Sequence, residues 1–261
     1  MVEGRISFDS ALDLIRNFCA VMNEYLMQLS LETRQELYSL LGSLQYPAFV
    51  GMLLLASIKY RVPVKHKVIL WVAFAVSCVW GANMTPVLKE LTRGIIPSPN
   101  MGVAFGIVML ILTAIVYFLR VPILFSLDAA IPAFILGRGL AITGCIFFGC
   151  CRGYPVAWGI YSAVTETCVF PAVILDIVVS CGIVIYLILL AKKQNYSGNG
   201  TVAAMGMLLF GLLRVLIDVL RDNHKRFLLL TAEGLFGIAY IVAGILLLRA
   251  IFIRGEKNEV K

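Results

Sequence analysis

The sequence predicts an all-α membrane protein of seven transmembrane helices with an N-terminal interfacial amphipathic segment. Two observations predict it. The 261 residues are 61% hydrophobic and only 14% charged, with a mean hydropathy of +0.93, whereas a soluble domain is nearer half apolar and a quarter charged. The apolar residues also fall into runs of about 20, the length needed to cross a bilayer. The net charge of +7 would suggest nucleic acid in a soluble chain. Here it fits basic loops on one side of a membrane, and nucleic acid is not an expected partner.

Taken in order, residues 1–43 form an extracytoplasmic unit. Residues 8–29 place Leu12, Ile15, Phe18, Cys19, Met22 and Tyr25 near helical spacing, an amphipathic pattern suited to the interface plane. No basic segment, apolar core and cleavage site follow one another there as in a signal peptide. Ser30 caps a second short helix, with Gly42 as its stop. The transmembrane domain covers 44–253, with spans at about 44–60, 68–83, 101–119, 126–149, 169–191, 201–221 and 234–252, and 254–261 is a cytoplasmic tail. The segment 150–168 reads as a loop rich in small and aromatic residues.

Charge sets the orientation. One set of loops carries Lys59, Arg61, Lys65, Lys67, Arg120, Lys192, Lys193, Arg249, Arg254, Lys257 and Lys261; the other carries Lys89, Arg93, Arg152, Arg221, Lys225 and Arg226. The richer set belongs in the cytoplasm, which leaves the N-terminus outside and the C-terminus inside.

The sixth span organises the candidate site. Arg214, Asp218 and Arg221 follow one another at steps of four and three, on one helix face. A charge near the bilayer centre costs roughly 2.5–3.5 kcal/mol, so such residues face a bundle interior and pair. Asp128, Arg138 and Asp176 also sit inside spans, with Arg152 and Glu166 near the boundary. Arg214–Asp218 and Arg138–Asp176 are the expected pairs. Planar guanidinium forks suit a lipid phosphate. Gly144, Gly149 and Gly153 crowd the end of the fourth span beside Arg152, where small residues serve close packing or expose backbone N–H groups to a ligand. Tyr46 opens the first span as a headgroup contact or a belt anchor.

Seven cysteines occur, at 19, 78, 145, 150, 151, 168 and 181, with no C-x-x-C, and His66 and His224 do not cluster with them. No metal and no cofactor are expected. Cys150 or Cys151 could meet Cys168 across the loop in an oxidising compartment.

The segments GRGLAITGCIFFGCCRGYP, VFPAVILDI, GMLLFGLLRVLIDVLRD and EGLFGIAYIVAGILLL, in that order, resemble the prolipoprotein diacylglyceryl transferases over roughly residues 100–250. The family's fourth-span signature is matched by Gly144, Cys145, Phe148, Gly149, Cys150, Cys151 and Gly153, its fifth-span motif by Pro171 and Asp176, and its sixth-span motif by Arg214, Asp218 and Arg221. The chain departs at the family's essential histidine, which aligns with Met101, and at an arginine that aligns with Ile142; Arg138 lies one helical turn earlier on the same face. The resemblance implies a multi-pass enzyme of the bacterial cytoplasmic membrane. It would move a diacylglyceryl group from phosphatidylglycerol to the lipobox cysteine of a lipoprotein precursor, with Arg214, Arg138, Asp218 and Asp176 in the catalytic set and Arg152, Arg221, Gly144, Gly149, Gly153 and Tyr46 at the lipid phosphate. A relative that only binds an anionic lipid or precursor is the alternative.

Overall fold

The computed structural model describes residues 8–91, 111–162, 164–222 and 230–259. The helices are α1 (Phe8–Gln28), α2 (Leu31–Ser43), α3 (Gln45–Lys59), α4 (Val64–Leu91), α5 (111–118), α6 (Ile123–Ala141), α7 (Gly144–Phe148), α8 (Ala172–Lys193), α9 (Thr201–Leu220) and α10 (Ala232–Glu259). Among the described residues, five helical stretches are long and apolar enough to cross a membrane: Leu31–Lys59, Ile123–Phe148, Ala172–Lys193, Thr201–Leu220 and Glu233–Ile253. The expected second span falls within α4. The expected third falls largely outside the described residues, as do Met101 and His224.

Two expectations are corrected. Ser30 does cap α2, accepting from Thr33 N at 3.2 Å. Gly42, however, lies within that helix rather than ending it, and a single residue, Leu44 in the right-handed helical region, separates α2 from α3. The described chain is also not purely helical. β1 (Pro155–Ser162) and β2 (Thr167–Val169) form a two-stranded antiparallel sheet with Tyr161 opposite Cys168 and Ser162 opposite Thr167. The run Val156-Ala-Trp158-Gly-Ile160-Tyr161 is strand-like in its β-branched and aromatic content.

α1 docks on this hairpin. Asn23 donates to Gly159 O at 2.9 Å and accepts from Tyr161 N at 2.6 Å, while Cys19 and Leu26 bury against Ile160. Leu14, Phe18, Val21 and Met27 remain exposed on α1. The apolar surface of α1 is therefore only partly used inside the chain.

α6 is the central helix. Phe125, Ala129, Ile131, Ala133 and Ile135 are buried along it, in one core with Leu53 of α3, Leu187 of α8, and Phe210 and Ile217 of α9. α9 and α10 come together almost backbone to backbone: a Cβ on Gly211 would stand 2.6 Å from Gly237 O. Small residues permit such approaches between helices in lipid.

Asp128, read from sequence as one of the intramembrane charges, has a structural task. It accepts from Gly200 N at 2.8 Å and Ala203 N at 2.7 Å. The first amide groups of a helix have no intrahelical acceptor, and a carboxylate there also meets the positive end of the helix dipole. Replacing Asp128 with Ala leaves both buried donors unsatisfied. A loss of about 2 kcal/mol is expected, read as a lower thermal midpoint of the detergent-solubilised protein, with Asp128→Asn losing less; an unchanged midpoint would contradict the capping role.

Candidate active site

The charged residues of α6, α8, α9 and α10 converge at one end of the bundle. Arg138 lies in the last turn of α6. Asp176 lies in α8 and is fully buried. Arg214 stands on α9, and Arg221 is the first residue beyond it, in extended conformation. Arg221 is held there by a strand-like bridge to Gly153 and by Asp222 N donating to Arg152 O at 3.2 Å.

The pairs differ from those expected. Arg214 pairs with Asp176 rather than with Asp218. Arg138 pairs with Glu233 at 3.5 Å rather than with Asp176. Arg221 reaches Glu233 at 2.8 Å and Asp176 at 3.5 Å. The same Glu233 oxygen, Oε2, is also 3.8 Å from Arg214. The i,i+4 pair fails to form because Asp218 is engaged elsewhere: it accepts from Thr231 N at 2.7 Å and from Thr231 Oγ1. Asp218 thus fixes the residue that precedes α10 and, through it, the position of Glu233. Glu233 is the site residue that the sequence reading missed. It lies one residue before the assigned seventh span, and an acid opening an apolar run is the signal that marks it.

Three guanidinium groups therefore share two carboxylates. Two of the guanidiniums, Arg138 and Arg221, and one carboxylate, Glu233, border a cavity of about 590 Å³, within the usual range for ligand sites. Its walls are Tyr38, Ser39, Gln45 and Tyr46 from α2 and α3, Arg138 and Ala141 from α6, Cys145, Cys150 and Cys151, and Arg221, Thr231 and Glu233. Arg138 is 7% exposed, and its Nη1 has no hydrogen-bond partner among the described residues. Arg214 does not line this cavity. It sits behind Asp176 and Glu233, with its guanidinium 5.0 Å from the centre of the Phe210 ring.

The remaining expected residues spread around this centre. Tyr46 lines the cavity. Arg152 is 3.9 Å from Asp222 and lines a smaller cavity with Ser162 and Phe170. Gly144, Gly149 and Gly153 are outside the main cavity and serve close packing: a Cβ on them would stand 2.6 Å from Tyr38 O, 2.5 Å from Ser162 Oγ and 2.6 Å from Phe170 O, respectively. Glu166 is exposed in the hairpin turn.

Gly149 ends α7 at φ +75, its N–H donating to Cys145 O at 2.7 Å. This left-handed turn folds Cys150 and Cys151 back toward Cys145. Both are free thiols rather than partners of Cys168, which lies near Asn23 of α1, 3.8 Å away. Hydrogen bonds from the Cys145 and Cys150 thiols favour the Cys151 thiolate, the Arg221 and Arg138 guanidiniums add to this, and together they hold Cys151 well below the usual thiol range.

Removing one member of a buried ion pair strands its partner, at a cost of about 3–5 kcal/mol, whereas an apolar pair of similar volume can be neutral. Asp176→Leu alone is therefore expected to collapse the thermal midpoint and the yield of folded protein, and Asp176→Leu with Arg214→Met to recover most of both. Equal loss in the single and double variants would show that the pair is not what the site rests on.

No curated protein matches the chain. The family model described as prolipoprotein diacylglyceryl transferase matches residues 33–250, a stretch that takes in α3, the cysteine turn and all five converging charges. The chain belongs to the prolipoprotein diacylglyceryl transferase family, membrane transferases of lipoprotein biosynthesis.

Proposed function

We propose that this protein transfers the diacylglyceryl group of phosphatidylglycerol to the cysteine thiol of a lipoprotein precursor, at the outer face of the cytoplasmic membrane. The N-terminal residues and the cysteine turn lie outside, and the C-terminus lies in the cytoplasm. The observation that carries the reading is a cavity walled by two guanidiniums, Arg138 and Arg221, against one carboxylate, Glu233, where Arg138 Nη1 is buried without a hydrogen-bond partner among the described residues. A phosphodiester monoanion is the ligand that balances it.

Within this reading Arg138 and Arg221 hold the lipid phosphate. The acceptor thiolate attacks the glyceryl carbon; a carbon–sulfur bond forms, the carbon–oxygen bond to phosphorus breaks, and the electron pair leaves on glycerol phosphate. The leaving group gains a second negative charge, and preorganised donors act most strongly where charge develops. Asp176 and Glu233 orient the cations. Arg214 anchors both acids from behind, so it is a positioning residue rather than the phosphate clamp. Asp218 positions Glu233 through Thr231. Tyr38 and Tyr46 contribute hydroxyl groups to the cavity wall, and the Arg152 carbonyl holds the Asp222 amide next to Arg221.

The methionine at the family's histidine position, Met101, favours a second reading in which the protein binds phosphatidylglycerol or a precursor without turnover. Reconstituted protein with labelled phosphatidylglycerol and a lipobox peptide separates the two. Transfer of label is expected, falling about 100- to 1000-fold in Arg138→Ala. Arg138→Lys is expected to fall between, since an ammonium keeps the charge but not the planar fork. Tight lipid binding without transfer by the wild-type protein would select the second reading.

A further inference from the structure

Cys145, Cys150 and Cys151 all border the main cavity, and their sulfur atoms lie within 4.8 Å of one another. We propose that these three cysteines hold a zinc ion whose fourth position faces the cavity and takes the acceptor cysteine as its thiolate. The inference rests on the transferase reading for the identity of the acceptor, but the metal site stands on its own geometry.

Zinc–thiolate bonds of about 2.3 Å in a tetrahedron place sulfurs about 3.8 Å apart, so small side-chain rotations close the site. Three protein ligands and one open position is the composition of reactive zinc centres, as opposed to the closed four-ligand sites that only stabilise folds. Thiolates suit zinc among common divalent ions. Exposure is graded in the required sense: Cys145 is buried, Cys151 half-buried and Cys150 exposed, so the ion would be anchored from the protein side and approached from the cavity. The backbone is built for this convergence. It depends on the left-handed turn at Gly149, where a Cβ would meet Ser162 Oγ at 2.5 Å.

Such an ion answers a chemical need that the other described cavity residues leave open. The acceptor must react as a thiolate, and a thiol that coordinates zinc is deprotonated outright. Its proton passes to water in the cavity. The zinc-held sulfur then attacks the glyceryl carbon, and glycerol phosphate departs with the electron pair of the broken carbon–oxygen bond. Zinc undergoes no redox change.

The test uses full-length protein in lipid nanodiscs. Elemental analysis of reduced wild-type protein is expected to find about one zinc per chain, retained in Cys181→Ser and reduced to below about a tenth in Cys145→Ser and in Cys151→Ser. Cobalt(II) loaded in place of zinc is expected to show thiolate-to-metal charge-transfer absorption, which grows when a lipobox peptide is added and does not respond to the same peptide with serine for cysteine. Absence of both zinc and the cobalt band from folded wild-type protein overturns the proposal, as does a cobalt spectrum unmoved by the cysteine peptide. Full transfer activity in zinc-free Cys145→Ser protein overturns the ion's part in activating the acceptor thiol and leaves the transferase reading intact. A peptide-responsive metal site without diacylglyceryl transfer does the reverse.

Discussion

A single carboxylate oxygen, Glu233 Oε2, lies within 4 Å of Arg138, Arg214 and Arg221, and the rest of the site depends on that shared contact. A buried cation costs several kcal/mol in lost hydration and is retained only where geometry and partners are good. Here Asp176 closes the network from the opposite side, bonded to Arg214 and 3.5 Å from Arg221. The five residues come from α6, α8, the end of α9 and the start of α10. Pairing therefore fixes the relative position of four segments at one end of the bundle. Buried ion pairs are poor stabilisers when compared with apolar packing.

Similar side chains in the bilayer-spanning region do different work according to what lies beside them. Asp128 and Asp218 saturate backbone N–H groups near the starts of α9 and α10. Asp176 and Glu233 neutralise guanidiniums. Arg214 is sealed behind the acids, whereas Arg138 and Arg221 border open space. Arg214 is bonded to Asp176, and Asp176 and Glu233 in turn contact the two arginines on the cavity wall. The cysteine turn borders the same cavity, so the guanidiniums of Arg138 and Arg221 and the thiols of Cys145, Cys150 and Cys151 share one chamber.

The arginines at 138, 214 and 221 and the acid at 176 were legible in the sequence because charge inside an apolar run is costly enough to demand a reason. Their partners were not. Local spacing favoured Arg214 with Asp218, but helix periodicity cannot reveal that Thr231, thirteen residues on, presents a buried N–H that competes for the same carboxylate. Glu233 escaped because a one-residue difference in the span boundary moved it from the apolar run into a loop. The hairpin was obscured by the small residues between its aromatic and β-branched positions. The convergence of Cys145 with Cys150 and Cys151 depends on a left-handed glycine, and no familiar ligand spacing encodes it. The family resemblance, in contrast, was visible in the order of the last four apolar segments, and the family match over residues 33–250 agrees with it.

The central claim is that surplus guanidinium charge in this cavity selects an anionic lipid head. Native mass spectrometry of the protein released from mixed micelles measures this directly, by comparing retention of phosphatidylglycerol, phosphatidylethanolamine and diacylglycerol of matched acyl chains. Preferential retention of phosphatidylglycerol by the wild-type protein, abolished when Arg138 and Arg221 are both replaced by methionine, is the expected result. Equal retention of the three lipids, or a preference that survives the double replacement, would contradict it.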